Sequence, residues 1–403
     1  MSLNKINVTI NNQTYTSFES VSINIDMDQF GRAFELTSNI PNTQEISIKI
    51  GQSVVIDVDG ENILSGYIDT INIAEDEDSS EVSITGRDKV SDFIDSKIEG
   101  KTFSTPVGFE SILKRLLELV GYQVLSSRNP LRSLLNTENN NTISIINNYG
   151  SIQDFQTSEG ISFSPSEEAY TLIRRLADKR GLVLGTNGDG NIAINAIAPS
   201  STKTILQRVL KGSSNNIKSA NLRDSMANRF NEYKIISGGN KAGILGFDDE
   251  KKDPINNDLV QYSSTVYDDE IRPTRKLLGK VNALNNSQCK DRASWESNIR
   301  KAKDFSYICK VVGFRQNETD VVGGSVINPL WGTNQLVYLN DQRYNLADDY
   351  LIKSISFSQT VKNGSVTELT LVDKNSYTYS LFEPKIKKGI KNKSILSFKK
   401  GVV

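Results

Sequence analysis

The side chains that most often perform catalysis or bind metals are scarce in this chain of 403 residues. It contains no histidine, which excludes Ser-His-Asp and Cys-His nucleophiles because no imidazole can act as the base. Its two cysteines, Cys289 and Cys309, are too few for a four-thiolate zinc site or a disulfide framework. We expect them to be reduced, partly buried thiols. Hydrolysis by paired carboxylates needs only Asp and Glu, but no acidic cluster singles out such a pair. The sequence therefore predicts no catalytic residue, no cofactor and no metal.

Glycine-rich phosphate-binding loops are missing as well, since neither GxxxxGK[ST] nor GxGxxG occurs. The one Gly-Asp cluster that stands out is TNGDGN (186–191). Its flanks, GLVLG and NIAINAI, alternate like strands, which predicts a hairpin loop and not a ligand site.

Length and charge narrow the class of protein further. A chain of 403 residues predicts two to four domains. The 47 basic and 48 acidic residues nearly cancel, so the charge gives no case for nucleic acid or acidic lipid as a partner. No apolar run approaches the roughly 20 residues of a membrane helix, and we expect no membrane anchor. The N-terminus, MSLNKINVTINN, lacks the apolar core of a secretory signal.

The hydrophobic periodicity changes several times along the chain. Residues 1–98 alternate with period two and predict a first β module, with Asp59-Gly60 as a tight hairpin. Residues 99–200 predict an inserted α+β domain. Residues 201–380 predict a second β module with a helical excursion near 287–303, and residues 381–403 form a basic C-terminal tail.

Two helices are predicted in the insert. The first has an apolar stripe followed by a glycine cap: Phe109, Ile112, Leu113, Leu116, Val120 and Gly121. The second begins with a capping box in which Ser164 is the N-cap, Pro165 the first helical residue and Glu167 the partner. Its buried face and its end are marked by Tyr170, Ile173, Ala177 and Gly181.

The first and last β segments end alike, in EVSITGRDKVSDFID (81–95) and TELTLVDKNSYTYSLF (367–382), each with an Asp-Lys pair after a strand. The preceding strands and turns also follow in the same order. The alignment places Tyr67, Ile71 and Ile73 opposite Leu351, Ile355 and Phe357, and Val82 and Ile84 opposite Leu369 and Leu371. This pattern favours two copies of one antiparallel β module, although any two amphipathic strand triplets share a period of two.

Duplication suggests an assembly. Three chains with two similar modules each could form a ring of six, and closure would satisfy sheet edges that are otherwise exposed. We therefore predict an α+β, mainly β fold, with two tube-like antiparallel β-barrel modules around a small inserted domain, in a ring-forming trimer.

The ordered set of segments resembles the Mu-type bacteriophage baseplate hub family, the tail proteins of the late-control group. The resemblance runs from about residue 20 to 380 through ITGRDKVSDFIDSKI, SILKRLLELVGY, SEEAYTLIRRLADKRGLVL, RFNEYKIISGG, QCKDRASWESNIRKAK, LWGTNQLVYLND and LIKSISFSQTVKNGSVTELTLVD. No single motif is diagnostic, and the basic tail after Phe382 is not part of the pattern.

The resemblance implies a structural, non-enzymatic homotrimer in the baseplate of a contractile tail, made in the host cytoplasm and located in the virion. Its partners would be the tail tube or a tube-initiator protein, the central spike and other baseplate proteins. DNA would pass through the lumen without specific binding, which the near-neutral charge suits. The alternatives are the hub part of a type VI secretion spike or of a tail-like bacteriocin, and, less favoured, a carboxylate-pair glycan hydrolase or a nucleic-acid-binding barrel.

The tail carries seven lysines against one glutamate. It would either dock on an acidic partner or remain a solvated end. The candidate docking residues are Lys385, Lys387, Lys388, Lys391, Lys393 and Phe398.

Overall fold

The fold was obtained as a computed structural model, which describes residues 5–15, 18–41, 47–75, 77, 79–99, 102–125, 141–157, 161, 167–197, 200–212, 214–238, 260–280, 285–317, 320–322 and 325–377. It is mainly β with few helices, as predicted. The proposed tail-docking residues lie outside this part of the chain, so their role stays a prediction, as does the four-part division at residues 98, 200 and 380.

The first β module alternates buried and exposed side chains along its strands, because one face packs on a core and the other meets solvent. Residues Asp59 and Gly60 have positive φ angles of 53° and 85° and form the predicted tight hairpin. The seven strands are β1 (Ile6–Ile10), β2 (Gln13–Tyr15), β3 (Ser20–Asp26), β4 (Ala33–Pro41), β5 (Ser53–Val58), β6 (Glu61–Glu75) and β7 (Ser79–Asp88).

The inserted domain packs two helices against a four-stranded sheet. The first predicted helix is present and ends at Gly121, whose φ of 111° is left-handed. Leu117, and not Val120, joins its buried stripe. The elements are α1 (Ser91–Asp95), α2 (Phe109–Val120), β8 (Gln123–Leu125), β9 (Thr142–Asn147), α3 (Ala169–Arg180), β10 (Val183–Thr186) and β11 (Ile192–Asn195).

The predicted start of helix α3 was wrong. The predicted cap, Ser164, and the predicted first helical residue, Pro165, lie outside the described residues. The helix begins at Ala169, because Glu167 is not helical and the N-cap, Glu168, is extended with ψ of 133°. The reason is that this backbone pairs with the segment after α1. The Ala169 amide donates to the Ser96 carbonyl at 3.2 Å, and Lys97 forms an antiparallel bridge with Glu168. The predicted C-terminal end at Gly181 is confirmed, with φ of 63°.

The second β module carries its own appendage. Between Asp224 and Phe305 lies a small layer in which a separate three-stranded sheet packs on the helix predicted near 287–303. That helix, α4 (Asn286–Asp304), is capped by Asn285, whose side chain accepts from the Gln288 amide. The strands are β12 (Ser200–Arg208), β13 (Ile217–Asp224), β14 (Glu232–Gly238), β15 (Val260–Tyr267), β16 (Lys276–Lys280), β17 (Phe305–Val312), β18 (Asp320–Val322), β19 (Ser325–Ile327), β20 (Gln335–Asp341), β21 (Leu346–Thr360) and β22 (Gly364–Asp373).

The two modules do not form the two closed barrels that we predicted. In the described residues their strands join in one sheet of 13 strands, ordered β13-β17-β22-β21-β3-β4-β7-β6-β5-β1-β2, with β20 on β21 and β12 parallel to β20. The reason lies in the length of β21, which has 15 residues. Its first part pairs with β20 of its own module, and its second part pairs with β3 of the first module. The modules therefore share one hydrophobic core, whereas the inserted domain has its own.

Candidate assembly interface

The two modules correspond strand by strand, as rows of directly paired residues show. One row runs Val21, Leu36, Ile84, Ile71 across β3, β4, β7 and β6. The matching row runs Ala220, Cys309, Leu369, Ile355 across β13, β17, β22 and β21. Strands β3, β4, β7 and β6 of the first module therefore correspond to β13, β17, β22 and β21 of the second.

The rows confirm part of the predicted alignment and correct the rest. Ile71 does correspond to Ile355, but Ile84 corresponds to Leu369 and not to Leu371. Two residues further along these strands, Gly86 pairs with Ile68 in the first module and Leu371 pairs with Ile352 in the second, so Leu371 corresponds to Gly86. The predicted pairing of the last strands was thus shifted by two residues, which preserves the face but not the register.

A β-bulge at the same place in both modules supports the correspondence. In β6 the pairing with β7 shifts between Ile68 and Thr70, and in β21 the pairing with β22 shifts between Ile352 and Ser354. A bulge inserts one unpaired residue and bends the strand. Finding it at matching positions is difficult to explain by period-two resemblance alone.

The Asp-Lys pairs end both modules with the same turn. The Asp88 carboxylate accepts from the Val90 amide at 3.2 Å, and the Asp373 carboxylate accepts from the Asn375 amide at 2.8 Å. An aspartate that bonds its own backbone two residues on stops a strand and starts a turn. The repeated Asp therefore has a structural role in both copies.

The contact between the two modules within one chain is an antiparallel strand pair. β3 lies along the second part of β21, with Ile23 opposite Phe357 and Ile25 opposite Ile355. Ile23 is fully buried and Phe357 is 1% exposed. The Phe357 ring meets that of Phe314 edge-on, with centroids 5.4 Å apart. We call this pair of strands the internal junction.

The corresponding edges at the other two ends have no partner among the described residues. β6 pairs with β5 as far as Tyr67 and with β7 along its other side, but the edge of Thr70–Glu75 that corresponds to the β3-binding edge of β21 is unpaired there. β13 pairs with β17 alone. Ile73, which corresponds to Phe357, is 47% exposed. We call the β6 and β13 edges the open edges.

The inserted domain is fixed to the first module at the TNGDGN hairpin, whose predicted loop is confirmed. The buried Asp88 carboxylate accepts from the Arg32 amide at 2.9 Å and from the Thr186 hydroxyl at 2.5 Å. The Arg32 guanidinium in turn donates to the Thr186 carbonyl at 2.6 Å. Burial raises the pKa of Asp88 and lowers that of Arg32, although each group partly offsets the shift of the other.

Close backbone approach completes this attachment. Asn62 donates to the Asp189 carboxylate at 3.0 Å. A Cβ on Gly188 would lie 1.8 Å from the Asn62 carbonyl oxygen, so the loop requires glycine at this position. The glycines of the hairpin therefore let its backbone pack closely against the first module, which is a structural role and not that of a phosphate-binding loop.

The second module has a buried ionic group where the first is apolar. Asp341 is fully buried, 2.6 Å from a guanidinium nitrogen of Arg208, and it accepts from the Tyr307 hydroxyl at 2.6 Å. Burial raises the pKa of Asp341, but the hydrogen bonds from Arg208 and Tyr307 together outweigh burial, so that the pKa lies below its ordinary value. Burial and the hydrogen bond to Asp341 raise the pKa of Tyr307, although the charge of Arg208 lowers it. These groups are enclosed in the module, which indicates a structural role.

The remaining sequence predictions concern chemistry. Cys289 and Cys309 are both buried and unpaired, and burial raises the pKa of Cys309 to about 12. In the described ranges no cluster of three or more potential ligands could hold a metal ion. None of the helices seen there is long and apolar enough to cross a membrane.

Comparison with known proteins agrees with this architecture. Residues 5–88 match the family of Mu phage baseplate assembly protein GpP-like, N-terminal. Baseplate hub protein gp44 of Escherichia phage Mu is 20% identical over 385 residues, which cover 93% of this chain and 89% of that protein. The 43 kDa tail protein of prophage MuSo2 from Shewanella oneidensis superimposes with a TM-score of 0.70 at 22% identity, covering 93% of this chain and 99% of that one. A tail protein from Neisseria meningitidis MC58 gives 0.67 at 16% identity, covering 93% and 97%. The predicted resemblance to Mu-type baseplate hub proteins is confirmed.

Proposed function

We propose that this chain is the structural hub of a contractile-tail baseplate, in which three copies form a ring of six similar β modules. The ring joins a sixfold tail tube to a threefold spike. The observation that carries the proposal is the correspondence between the internal junction and the two open edges. One chain contains one completed junction and the two halves of another.

Head-to-tail pairing of the open edges follows from this correspondence. The β13 edge cannot pair with the β6 edge of the same chain while the β3–β21 junction is intact. The partner of each open edge would therefore be a second copy of the chain. A heterologous contact of this kind closes into a ring when its rotation divides a full turn. Two equivalent modules per chain would then give three chains and six junctions.

The internal junction also supplies a register for the proposed contact. Transferring it onto the corresponding strands places Leu222 of one chain opposite Ile73 of the next, and Asn221 opposite Ala74. Leu222 is half-buried and Ile73 is exposed in the single chain. Their counterparts, Ile23 and Phe357, form the buried centre of the internal junction. The contact would therefore cover apolar surface and pair two free strand edges at once.

Disulfide trapping tests the register directly. Asn221→Cys and Ala74→Cys in one chain place thiols at exposed, directly opposed positions, within the 4.5–5.5 Å Cβ separation typical of paired strands. Oxidation should give covalent trimers on a non-reducing gel, with low background because both native cysteines are buried. The matched control combines Ala74→Cys with Arg223→Cys, which lies two residues out of register on the same strand face.

The two variants separate the possible results. Efficient trimer formation by the first pair and poor formation by the second would support the ring. Equal yields from both pairs, or no covalent trimer at high protein concentration and in the presence of spike and tube proteins, would refute it. The native mass by light scattering over a concentration series gives an independent reading of the same equilibrium.

In this role the protein acts through its interfaces. One face of the ring would meet the tail tube or a tube-initiator protein, and the other would meet the central spike, with further baseplate proteins around it. Formal net charge of −1 suits a lumen through which DNA passes without being held. The protein would be made in the host cytoplasm and reside in the tail of the virion.

A further inference from the structure

The two kinds of junction carry opposite charges at the point where a hairpin tip meets an edge strand. At the internal junction the Val361 amide donates to the Glu19 carbonyl at 3.2 Å, so the β21–β22 hairpin tip lies beside Glu19. The next residue of that tip is Lys362, and both Glu19 and Lys362 are exposed. An acidic edge residue, whose carboxylate accepts from the Asn39 side-chain amide at 2.8 Å, therefore lies beside a basic hairpin.

The signs are reversed at the open edges. Lys218 precedes Ser219 in the chain as Glu19 precedes the equivalent Ser20, and it is exposed on β13. It is the extra residue of a bulge, where the pairing of β13 with β17 shifts between Ile217 and Ser219. The hairpin between β6 and β7 has the sequence AEDEDSSE (74–81), and its Glu75 and Glu77 are exposed. Counting from the equivalent residues Ile71 and Ile355, Glu77 corresponds to Val361.

From this reversal we infer that Lys218 of one chain receives the acidic β6–β7 hairpin of a second copy, and that charge decides which edge that hairpin accepts. The inference rests on the proposed ring. Counting one residue beyond Ser219, Glu77 of the neighbour comes beside the bulged Lys218, where unlike charges attract. If the same hairpin paired with β3 of another copy, Glu77 would lie opposite Glu19, and like charges placed directly opposite each other destabilise a strand pair.

The charge reversal thus favours alternation of the two modules around the ring. The apolar and hydrogen-bonding features of the two junctions are similar, because the modules are copies, so they discriminate poorly between a module and its counterpart. A repulsive element against the wrong pairing supplies the missing specificity. It would act against swapped assemblies in which first modules pair with first modules.

Charge reversal in the trapping chain tests this inference. The parent is the Asn221→Cys, Ala74→Cys chain. Lys218→Glu alone, or Glu75→Lys with Glu77→Lys, should slow covalent trimer formation by up to about fivefold in low salt, since an exposed ion pair contributes up to about 1 kcal/mol. Combining all three changes should restore the parent rate. In about 1 M salt the differences should shrink, because the screening length falls to about 3 Å.

The outcomes distinguish the inference from the ring itself. A matched reversal on an exposed helix, Lys179→Glu in α3, should leave the rate at the parent value. If Lys218→Glu traps as fast as the parent in low salt, or if the triple variant stays slow, the charge inference is overturned and the ring proposal stands. If the parent itself fails to trap, the ring proposal fails and the inference falls with it.

Discussion

Phe357 and Ile73 occupy equivalent positions, yet truncating them should affect two different equilibria. Phe357 is 1% exposed beneath β3 at the internal junction, so Phe357→Ala should lower the free energy of unfolding of the single chain. The expected loss is about 3–5 kcal/mol, as for other buried Phe→Ala changes. Ile73 is 47% exposed, so about half of its surface remains in contact with solvent in the single chain.

The size of the Ile73→Ala effect can be worked out from its exposure. The change removes three carbon groups, each worth about 0.8 kcal/mol when fully buried. With Ile73 47% exposed, about 1 kcal/mol of this should be lost in the single chain and about 1 kcal/mol at each proposed interface. Three interfaces per ring give about 3 kcal/mol, or roughly a hundredfold in the trimer association constant.

Two measurements on the same pair of variants check this reasoning. Urea unfolding at a dilution where the chain is monomeric reports the first equilibrium, and sedimentation equilibrium over a concentration series reports the second. The reasoning is refuted if Ile73→Ala leaves the trimer constant unchanged, or if it destabilises the single chain as much as Phe357→Ala. Either result would mean that Ile73 is not covered by a neighbouring copy.

Three further predictions concern the single chain. Gly188→Ala should lower the free energy of unfolding by about 2 kcal/mol, because its Cβ would lie 1.8 Å from the Asn62 carbonyl oxygen, whereas Gly185→Ala, with open space around it, should have little effect in the same urea titration. Cys309 should resist an aromatic disulfide reagent at pH 8 until the protein unfolds, because burial raises its pKa to about 12; rapid labelling of native protein would contradict this. The native fold holds the Asp341 pKa below its ordinary value, so this stabilisation is complete above about pH 5 and is lost as pH falls through the native pKa. Asp341→Asn should therefore flatten the acid side of the stability profile between about pH 5 and 2, and an unchanged slope would rule out this contribution.

Local periodicity predicted the elements well because both periods depend on neighbouring residues. The β6 and β7 strands, the hairpin at Asp59 and the helix ending at Gly121 all follow from short-range patterns. The start of α3 did not, because Glu168 is recruited to a backbone pair with a segment some 70 residues earlier. Capping chemistry at Ser164 could not reveal that competition.

The register between the copies was mispredicted for a related reason. Matching apolar residues by appearance aligned Ile84 with Leu371, whereas the observed register leaves Leu371 equivalent to Gly86. A better signal was present, since Ile68 and Ile71 stand three apart, as do Ile352 and Ile355. A spacing of three within period-two strands indicates a bulge in each copy.

Pairing between β3 and β21 could not be predicted from any local pattern. The two strands are separated by more than 300 residues, and both read equally well as members of closed barrels. Which edges meet is decided by burial across the whole chain. The same limitation applies to the open edges, which become visible only when the internal junction is known.

Divergence between the copies explains how one chain could present two symmetries. The turn at Asp88 and the turn at Asp373 share a backbone bond, but only Asp88 is buried against the inserted domain through Thr186. The Tyr122 hydroxyl, also from that domain, donates to the Lys89 carbonyl at 2.6 Å. In the proposed ring the strand edges therefore repeat six times, while the inserted domain, present once in each chain, repeats three times. A sixfold tube would meet the strands, and a threefold spike would meet the side that carries the inserted domains.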